Sequence, residues 1–326
     1  MSDQMRVPGG ADRDIDVLVL GEINPDVIVR AVDPRPQFGQ VEQLVDTIDL
    51  VVGSSSAIFA CGAARLGLRV AFVGVVGNDA MGRFMVEAMR AHGVDVSACR
   101  VDEVVPTGAS VILVGDADRA ILTAPGTVPV LRDEDVPAAL VDRARHLHVG
   151  SLFLLDALRP RLAKRFAAAR RAGITTSLDC NWDPRGSWDG GLGPILAETT
   201  VFLPNAAEAQ RITGRETVED AALALAALGP RVVAVKCGAD GALSGEPGGA
   251  ITRVPAIAAE TVDTTGAGDS FDAGFLVAWL AGRRLHDCLA IGVSCGSLST
   301  RRVGGTAAQP TLAEAEAAAR SAGLLT

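Results

Sequence analysis

Apolar and polar positions along this chain switch repeatedly between two periods. Short β-rich runs at 16–21, 69–76, 146–150, 175–179, 201–204 and 231–236 predict strands, the first closing on Gly21. Helical spacing at 57–66, 82–91, 159–171 and 218–228 predicts helices between them, and two more are expected at 270–280 and 287–300. Met85, Val86 and Met89 share one side of the second helix, and Gly67 and Gly93 stop the first two. Strands alternating with helices predict an α/β protein, a doubly wound and mostly parallel sheet flanked by helices. Ligands of such sheets bind beyond the carboxyl ends of the strands. Two stretches break the alternation. Residues 27–51, with Pro34 and Pro36, carry β signals without a helix, and 108–123 reads as a hairpin, 109–114 and 119–123, around Gly115-Asp-Ala-Asp118. Together they predict a small β-sheet lid over the site, set within one domain spanning 15–326. Residues 1–14 are expected to be a disordered leader.

Bulk composition narrows the class. Of 326 residues, 48% are hydrophobic and 21% charged, as in an ordinary globular protein. The longest apolar runs are too short to span a bilayer, and no signal-peptide stretch opens the chain. Cysteines 61, 99, 180, 237, 288 and 295 form no C-x-x-C pair, so neither a disulfide framework nor a zinc site is signalled. Both points favour the cytoplasm. A net charge of −9 disfavours nucleic acid or an anionic membrane as partner. Positive charge is almost all arginine, because lysine occurs only at 164 and 236. A P-loop needs Gly-Lys-Ser/Thr, and neither lysine follows a glycine, so that class is excluded.

One run carries chemistry. Asp263-Thr-Thr-Gly-Ala-Gly-Asp269 leads straight into an apolar helix. Glycines before a helix let free N–H groups turn outward, and the helix dipole adds positive charge there. Such a terminus binds phosphate without lysine. Asp269 stands beside it, where a carboxylate should repel phosphate. The arrangement makes sense if Asp269 takes the proton of a substrate hydroxyl as the phosphoryl group arrives. An Asp with an ordinary pKa, about 3.9, is ionised at neutral pH and can serve. The bland reading, a simple helix cap, accounts poorly for the whole run through Ser270-Phe-Asp-Ala-Gly-Phe275.

Residues 263–275 resemble the C-terminal signature of the ribokinase-like, or PfkB, family of carbohydrate kinases. Gly21-Glu-Ile-Asn-Pro-Asp26 resembles that family's opening strand and substrate-binding acid. Ala64-Arg-Leu-Gly67, Val73-Gly-Val-Val-Gly-Asn-Asp79 and Gly82 resemble its N-terminal signature. Leu203-Pro-Asn-Ala-Ala-Glu208 resembles its Asn-x-x-Glu motif, and Lys236-Cys-Gly-Ala-Asp-Gly-Ala242 the segment lining the nucleotide. The resemblance implies an ATP- and Mg²⁺-dependent kinase of a sugar or related polyol. Asp269 would be the base, and the backbone of Gly266, Ala267 and Gly268 the anion hole. Asn205 and Glu208 would position Mg²⁺ and phosphates through water, with a helix-capping acid as the plain alternative for Glu208. Lys236, Gly238 and Gly241 would lie along ATP, unless Lys236 is only a strand-end surface lysine. Asn24 and Asp26 would meet the acceptor. Asp263 and Thr265 would match a monovalent-cation loop, K⁺ for instance, in those members that have one. The family also implies a homodimer through the lid sheets.

The family's Gly-Gly and following Asn correspond here to Gly53, Ser54 and Ile58. Ser54 either supplies a hydroxyl or caps the helix near Ala57, and Ile58 removes a polar contact to the acceptor. Arg119 could pair with a substrate carboxylate, though a solvated turn arginine is the default. Trp182 suits loop packing somewhat better than ligand stacking. The absence of a lysine at a second phosphate site disfavours phosphorylated sugars, unless arginine does that work. A nicotinamide oxidoreductase needs Gly-x-Gly-x-x-Gly after the first strand, and Gly21-Glu-Ile-Asn-Pro-Asp26 departs from it. A non-catalytic sugar or nucleotide sensor stays open, as does a kinase of a sugar acid of the 2-keto-3-deoxygluconate type or of a nucleoside.

Overall fold

The computed structural model describes residues 13–115 and 119–326. The expected leader and the tip of the 109–123 hairpin fall largely outside them. The strands are β1 Ile15–Leu20, β2 Pro25–Arg30, β3 Thr47–Val52, β4 Val70–Val73, β5 Val75–Gly77, β6 Arg100–Asp102 and β7 Ala109–Val114, followed by β8 Arg119–Ala124, β9 Ala144–Val149, β10 Thr175–Leu178, β11 Val201–Phe202, β12 Val232–Lys236, β13 Ala242–Gly245 and β14 Ile251–Val254. The helices are α1 Ser55–Arg65, α2 Ala80–Ala91, α3 Ala138–Asp142, α4 Arg159–Arg171 and α5 Leu192–Leu196, then α6 Ala206–Thr213, α7 Val218–Ala226, α8 Ala267–Leu280, α9 Leu285–Ser299 and α10 Leu312–Ser321.

Eight strands build the main sheet in the order β14-β13-β12-β11-β10-β9-β1-β4. Its pairs from β4 across to β12 are parallel, and β13 and β14 add an antiparallel edge. Strand β1 shows why helices cover both faces. Val17 and Val19 enter one core with α1, α8 and α9, while Leu18 and Leu20 enter the other with α4 and α7. A strand buried on both sides must be apolar at nearly every position, which is what its sequence reads.

Strands β3-β2-β7-β8 form a separate four-stranded sheet, the small lid anticipated from the two β excursions. Its outer face is apolar, with Ile48, Leu50 and Leu122 exposed. Several sequence expectations shift. The strand expected over 69–76 breaks at Gly74, where an added Cβ would lie 2.8 Å from the Gly21 carbonyl. Helix α8 starts at Ala267 and not at 270, so Asp269 belongs to its first turn. The antiparallel edge, α3, α5 and α10 were not anticipated as elements, and α6 only as the helix that Glu208 would cap.

Candidate active site

Everything singled out near the helix terminus gathers at the carboxyl end of the main sheet. Gly266 caps α8 with φ 71°, a conformation that suits glycine. A Cβ there would sit 2.6 Å from Gly305 Cα, so side chains are excluded on both counts. Ile58, expected at the acceptor, instead lies in the core and packs beneath this turn. Added Cβ atoms on Gly266 and Gly305 would fall 2.9 and 2.4 Å from its side chain. Beyond the turn opens a cavity of about 570 Å³, lined by Lys236, Gly238, Gly241, Ala267, Gly268 and Thr264 among others. Gly238 and Gly241 make the turn after β12 with φ 58° and 87°.

Asp269, partly exposed, directly follows Gly268 of the cavity wall. Its carboxyl does not keep an ordinary pKa, correcting the sequence expectation. Burial, reinforced by the Asp179 and Glu22 carboxylates, pushes it to about 8 against the pull of Lys236 and a hydrogen bond from Ser55. Lys236 is no surface lysine. Its Nζ lies 2.7 Å from Asp179 Oδ2 and 3.1 Å from Asp272 Oδ2. Burial alone would depress it, but these carboxylates outweigh burial and hold the ammonium charged. The same ammonium keeps Asp179 low despite its burial, whereas burial drives Asp272 well up. A Cβ on Gly268 would come within 3.6 Å of Lys236 Nζ, so the ammonium stands next to the first turn of α8.

Asn205 and Glu208 form a reciprocal cap on α6. Glu208 N–H donates to Asn205 Oδ1 at 2.9 Å, and Asn205 N–H donates to Glu208 Oε2 at 2.9 Å. The helix-capping reading of Glu208 is thus the one its hydrogen bonds show. Burial and the Asp179 carboxylate raise it to about 7. Asp179, Cys180 and Glu208 bring ligand atoms within 4.8 Å of one another. Their carboxylate oxygens suit Mg²⁺, held largely through water, and a cation there would favour the ionised form of Glu208. Burial, with the Glu208 and Asp179 carboxylates, pushes the Cys180 thiol up, and a thiol is a poor partner for a hard cation such as Mg²⁺.

The residues expected at the acceptor sit on the lid and at the start of α1. Asp26 is buried, and a Cβ on Gly53 would lie 2.3 Å from its Oδ1, so only glycine admits it. Burial lifts Asp26 to about 7 against a hydrogen bond from Ser110, with Asp263 and Glu22 adding to the rise. Asn24 is buried beside Gly53, which its carbonyl approaches. Ser54 is the helix cap: its Oγ accepts from Ala57 N–H at 3.2 Å and donates to the Glu22 carbonyl at 2.6 Å. That hydroxyl is committed to the fold. Trp182 packs edge-on to Trp188 at 4.9 Å with Arg211 over its ring, a loop-packing role.

Sequence reasoning gave Glu22 and Asp272 no role of their own, and it named Ser55, Asp179 and Asn181 only within the runs Ser54–Ser56 and Asp179–Trp188, as possible hydroxyl donors and as a segment resembling sugar kinases. Buried Glu22 accepts from Ser56 Oγ at 2.6 Å and Ser151 Oγ at 2.7 Å. Asn181 donates to Ser55 and Ser151 at 3.1 Å. Acids standing inside apolar surroundings, Glu22 after β1 and Asp272 within α8, were the available signal.

Asp263 leaves a monovalent cation little room. Oδ1 accepts from Thr265 N–H at 3.0 Å and Thr265 Oγ1 at 2.8 Å, and Oδ2 accepts from Gly304 N–H at 2.9 Å. Arg30 Nη2 stands 3.3 Å from Oδ2. With these donors and a guanidinium around the carboxylate, a K⁺ ion does not fit there unless Arg30 withdraws.

Residues 14–312 match the pfkB family of carbohydrate kinases. This chain belongs to that family. An ATP-dependent ribose-1-phosphate kinase of Halopiger xanaduensis is 32% identical over 295 residues, covering 90% of this chain and 94% of its own. Arabidopsis thaliana ribokinase, solved with ribose and ATP, superposes with a TM-score of 0.80 at 25% identity, covering 94% and 99% of the two chains. An E. coli chain solved with ATP and Mg²⁺ superposes at 0.82 and 23% identity, covering 94% and 99%, which speaks for the fold. The PfkB kinase described here is therefore a carbohydrate kinase with the ribokinase fold. No helix among its described residues is long and apolar enough to cross a membrane.

Proposed function

We propose that this kinase transfers the terminal phosphoryl group of ATP to a hydroxyl of a sugar or related polyol, with Asp269 as base. The observation that carries the reading is the position of Asp269 in the first turn of α8. It stands between the glycine-lined cavity on one side and Ser55, in hydrogen-bond contact, on the other. The cavity takes the nucleotide, with Gly238 and Gly241 along it. The acceptor lies under the lid against Asp26 and Asn24. Asp269 removes the hydroxyl proton, that oxygen bonds to the γ-phosphorus, and the bond to the bridging oxygen breaks to release ADP. Backbone N–H groups of Gly266, Ala267 and Gly268 stabilise charge on the transferring oxygens. Mg²⁺, positioned through water by Glu208 and Asn205, neutralises charge on the phosphates when bound.

A raised Asp269 suits this task, since a base poised near the working pH transfers protons most effectively. The 32% identical relative is named for a phosphorylated pentose, and the solved ribokinase holds ribose, so five-carbon sugars head the candidates. The apolar outer face of the lid supports association of two copies through it. Purified protein offered sugars, polyols, sugar acids and nucleosides, with ADP release as readout, tests the reaction. Turnover of at least one acceptor that vanishes in Asp269→Asn is expected. Failure on the whole panel with ATP still bound overturns it.

A further inference from the structure

Of the five described residues other than glycine with positive φ, three gather at one point beside α8. Ser54 has φ 67°, Ser151 φ 51° and Asn181 φ 54°. Backbone of this kind costs about 1–3 kcal/mol per residue and persists only where its surroundings enforce it. Ser54 turns the chain so that Ser55 opens α1, Ser151 lies just past β9, and Asn181 stands in the loop after β10. Their side chains form one chain of contacts. Asn181 Nδ2 donates to Ser55 Oγ and to Ser151 Oγ, each at 3.1 Å.

The Asn181 amide can face only one way. Its Oδ1 accepts the Trp182 N–H at 2.7 Å, which commits the other end to donating. Its backbone N–H donates to Asp179 Oδ1 at 2.8 Å and holds the residue in place. Each amide hydrogen therefore goes to one serine oxygen. A serine hydroxyl carries a single hydrogen, and one that accepts from Asn181 must aim that hydrogen elsewhere. Ser151 aims it at Glu22 Oε1, 2.7 Å away. Ser55 aims it at the Asp269 carboxylate, its other hydrogen-bond partner. A carboxylate that accepts such a bond is held in one orientation and favoured in its ionised form. A base about to receive a proton needs both.

We propose that Asn181 is a positioning residue for phosphoryl transfer: it sets the direction of the Ser55 hydroxyl, and that hydroxyl orients the Asp269 carboxylate towards the acceptor. This rests on the reading of Asp269 as base.

Glycine keeps a positive φ without strain, so Asn181→Gly removes the amide and should retain the wild-type melting temperature. Its kcat should fall about tenfold or more with KM for ATP unchanged. The rise of kcat/KM with pH, placed at about 8 in the wild type, should move upward by about one pH unit. Ser55→Ala should do the same, and Ser55→Thr, which restores a hydroxyl, should recover most of the rate. Asp179, Glu22, Lys236 and Asp272, whose charges also act on Asp269, keep their side chains in all three variants. In an Asp269→Asn background, Asn181→Gly should lower the rate no further, because residues acting through one group are not additive. An equal loss in both backgrounds overturns the proposal. So does a pH limb left in place by Asn181→Gly, whether the melting temperature holds or falls, or a limb moved by Ser55→Ala alone. Those outcomes leave the kinase reading standing. A wild-type rate in Asp269→Asn by itself removes both.

Discussion

Replacing Asp269 by Asn should separate chemistry from stability in opposite directions. General-base assistance is worth roughly 10²–10⁴-fold, so kcat should fall by that factor, about 3–5 kcal/mol in the barrier, with KM for ATP little changed. Wild-type kcat/KM should rise with pH until Asp269 is ionised at about 8, and the residual rate of the variant should lose that limb. Stability follows from linkage. The folded carboxyl holds its proton up to about 8, whereas the unfolded one releases it near 3.8, so wild-type stability declines as pH rises between those values. At about 1.4 kcal/mol per pH unit the ceiling is near 6 kcal/mol. Asp269 keeps partial access to water, which reduces this to about 2 kcal/mol. Asparagine has no proton to hold. The variant should therefore melt about 4 °C above wild type at pH 8 and with almost no difference at pH 4. Calorimetry at the two pH values and ADP release across the range decide it. A variant that turns over at the wild-type rate, or that melts lower at pH 8 than at pH 4 relative to wild type, refutes the reasoning.

Other outcomes follow from neighbouring groups. Asp26 must ionise near 7 to accept hydroxyl hydrogens, so KM for the acceptor should fall as pH rises through 7, and Asp26→Asn should flatten that dependence in steady-state kinetics. Lys236→Met strips the ammonium from two buried acids and should lower stability by about 3–5 kcal/mol in urea titrations. Turnover in a tetramethylammonium buffer should match that in K⁺, because donors and Arg30 already surround Asp263; several-fold activation by K⁺ would contradict this. Light scattering should give a dimer for wild type and a monomer for Leu50→Asp, on the outer lid face, with the melting temperature retained; a monomeric wild type contradicts association through the lid.

The α8 terminus was legible because glycine carries local geometry in its own letter. Gly266 had to be free of a side chain, and the run around it was readable as a helix terminus. The lid announced itself through β signals with no helix between them. What escaped were relations between distant residues. Lys236 finds Asp179 and Asp272, 57 and 36 positions away, and no local pattern encodes that meeting. Burial shifts the Asp269 pKa, and burial belongs to the assembled fold. Ile58 looked like a lost acceptor contact because its position was counted along the chain; packing turns it beneath the Gly266 loop. The antiparallel edge strands β13 and β14 are only four residues each, too short for their alternation to stand out. Helix α10 did carry a signal, since Thr311 and Glu314 spell a reciprocal cap.

The lid is hydrogen-bonded as a sheet of its own, separate from the strands that carry Lys236 and lead to Asn205. On the proposed function, acceptor preference and phosphoryl chemistry are thereby written on different frameworks. On that reading, substitutions on the inner face of the lid, at the level of Ile28 or Ser110, would retune what is phosphorylated while the machinery around α8 stays untouched. A scaffold divided in this way lends itself to new substrates by a few exchanges in one sheet, and laboratory selection on this kinase would do best to randomise that face first.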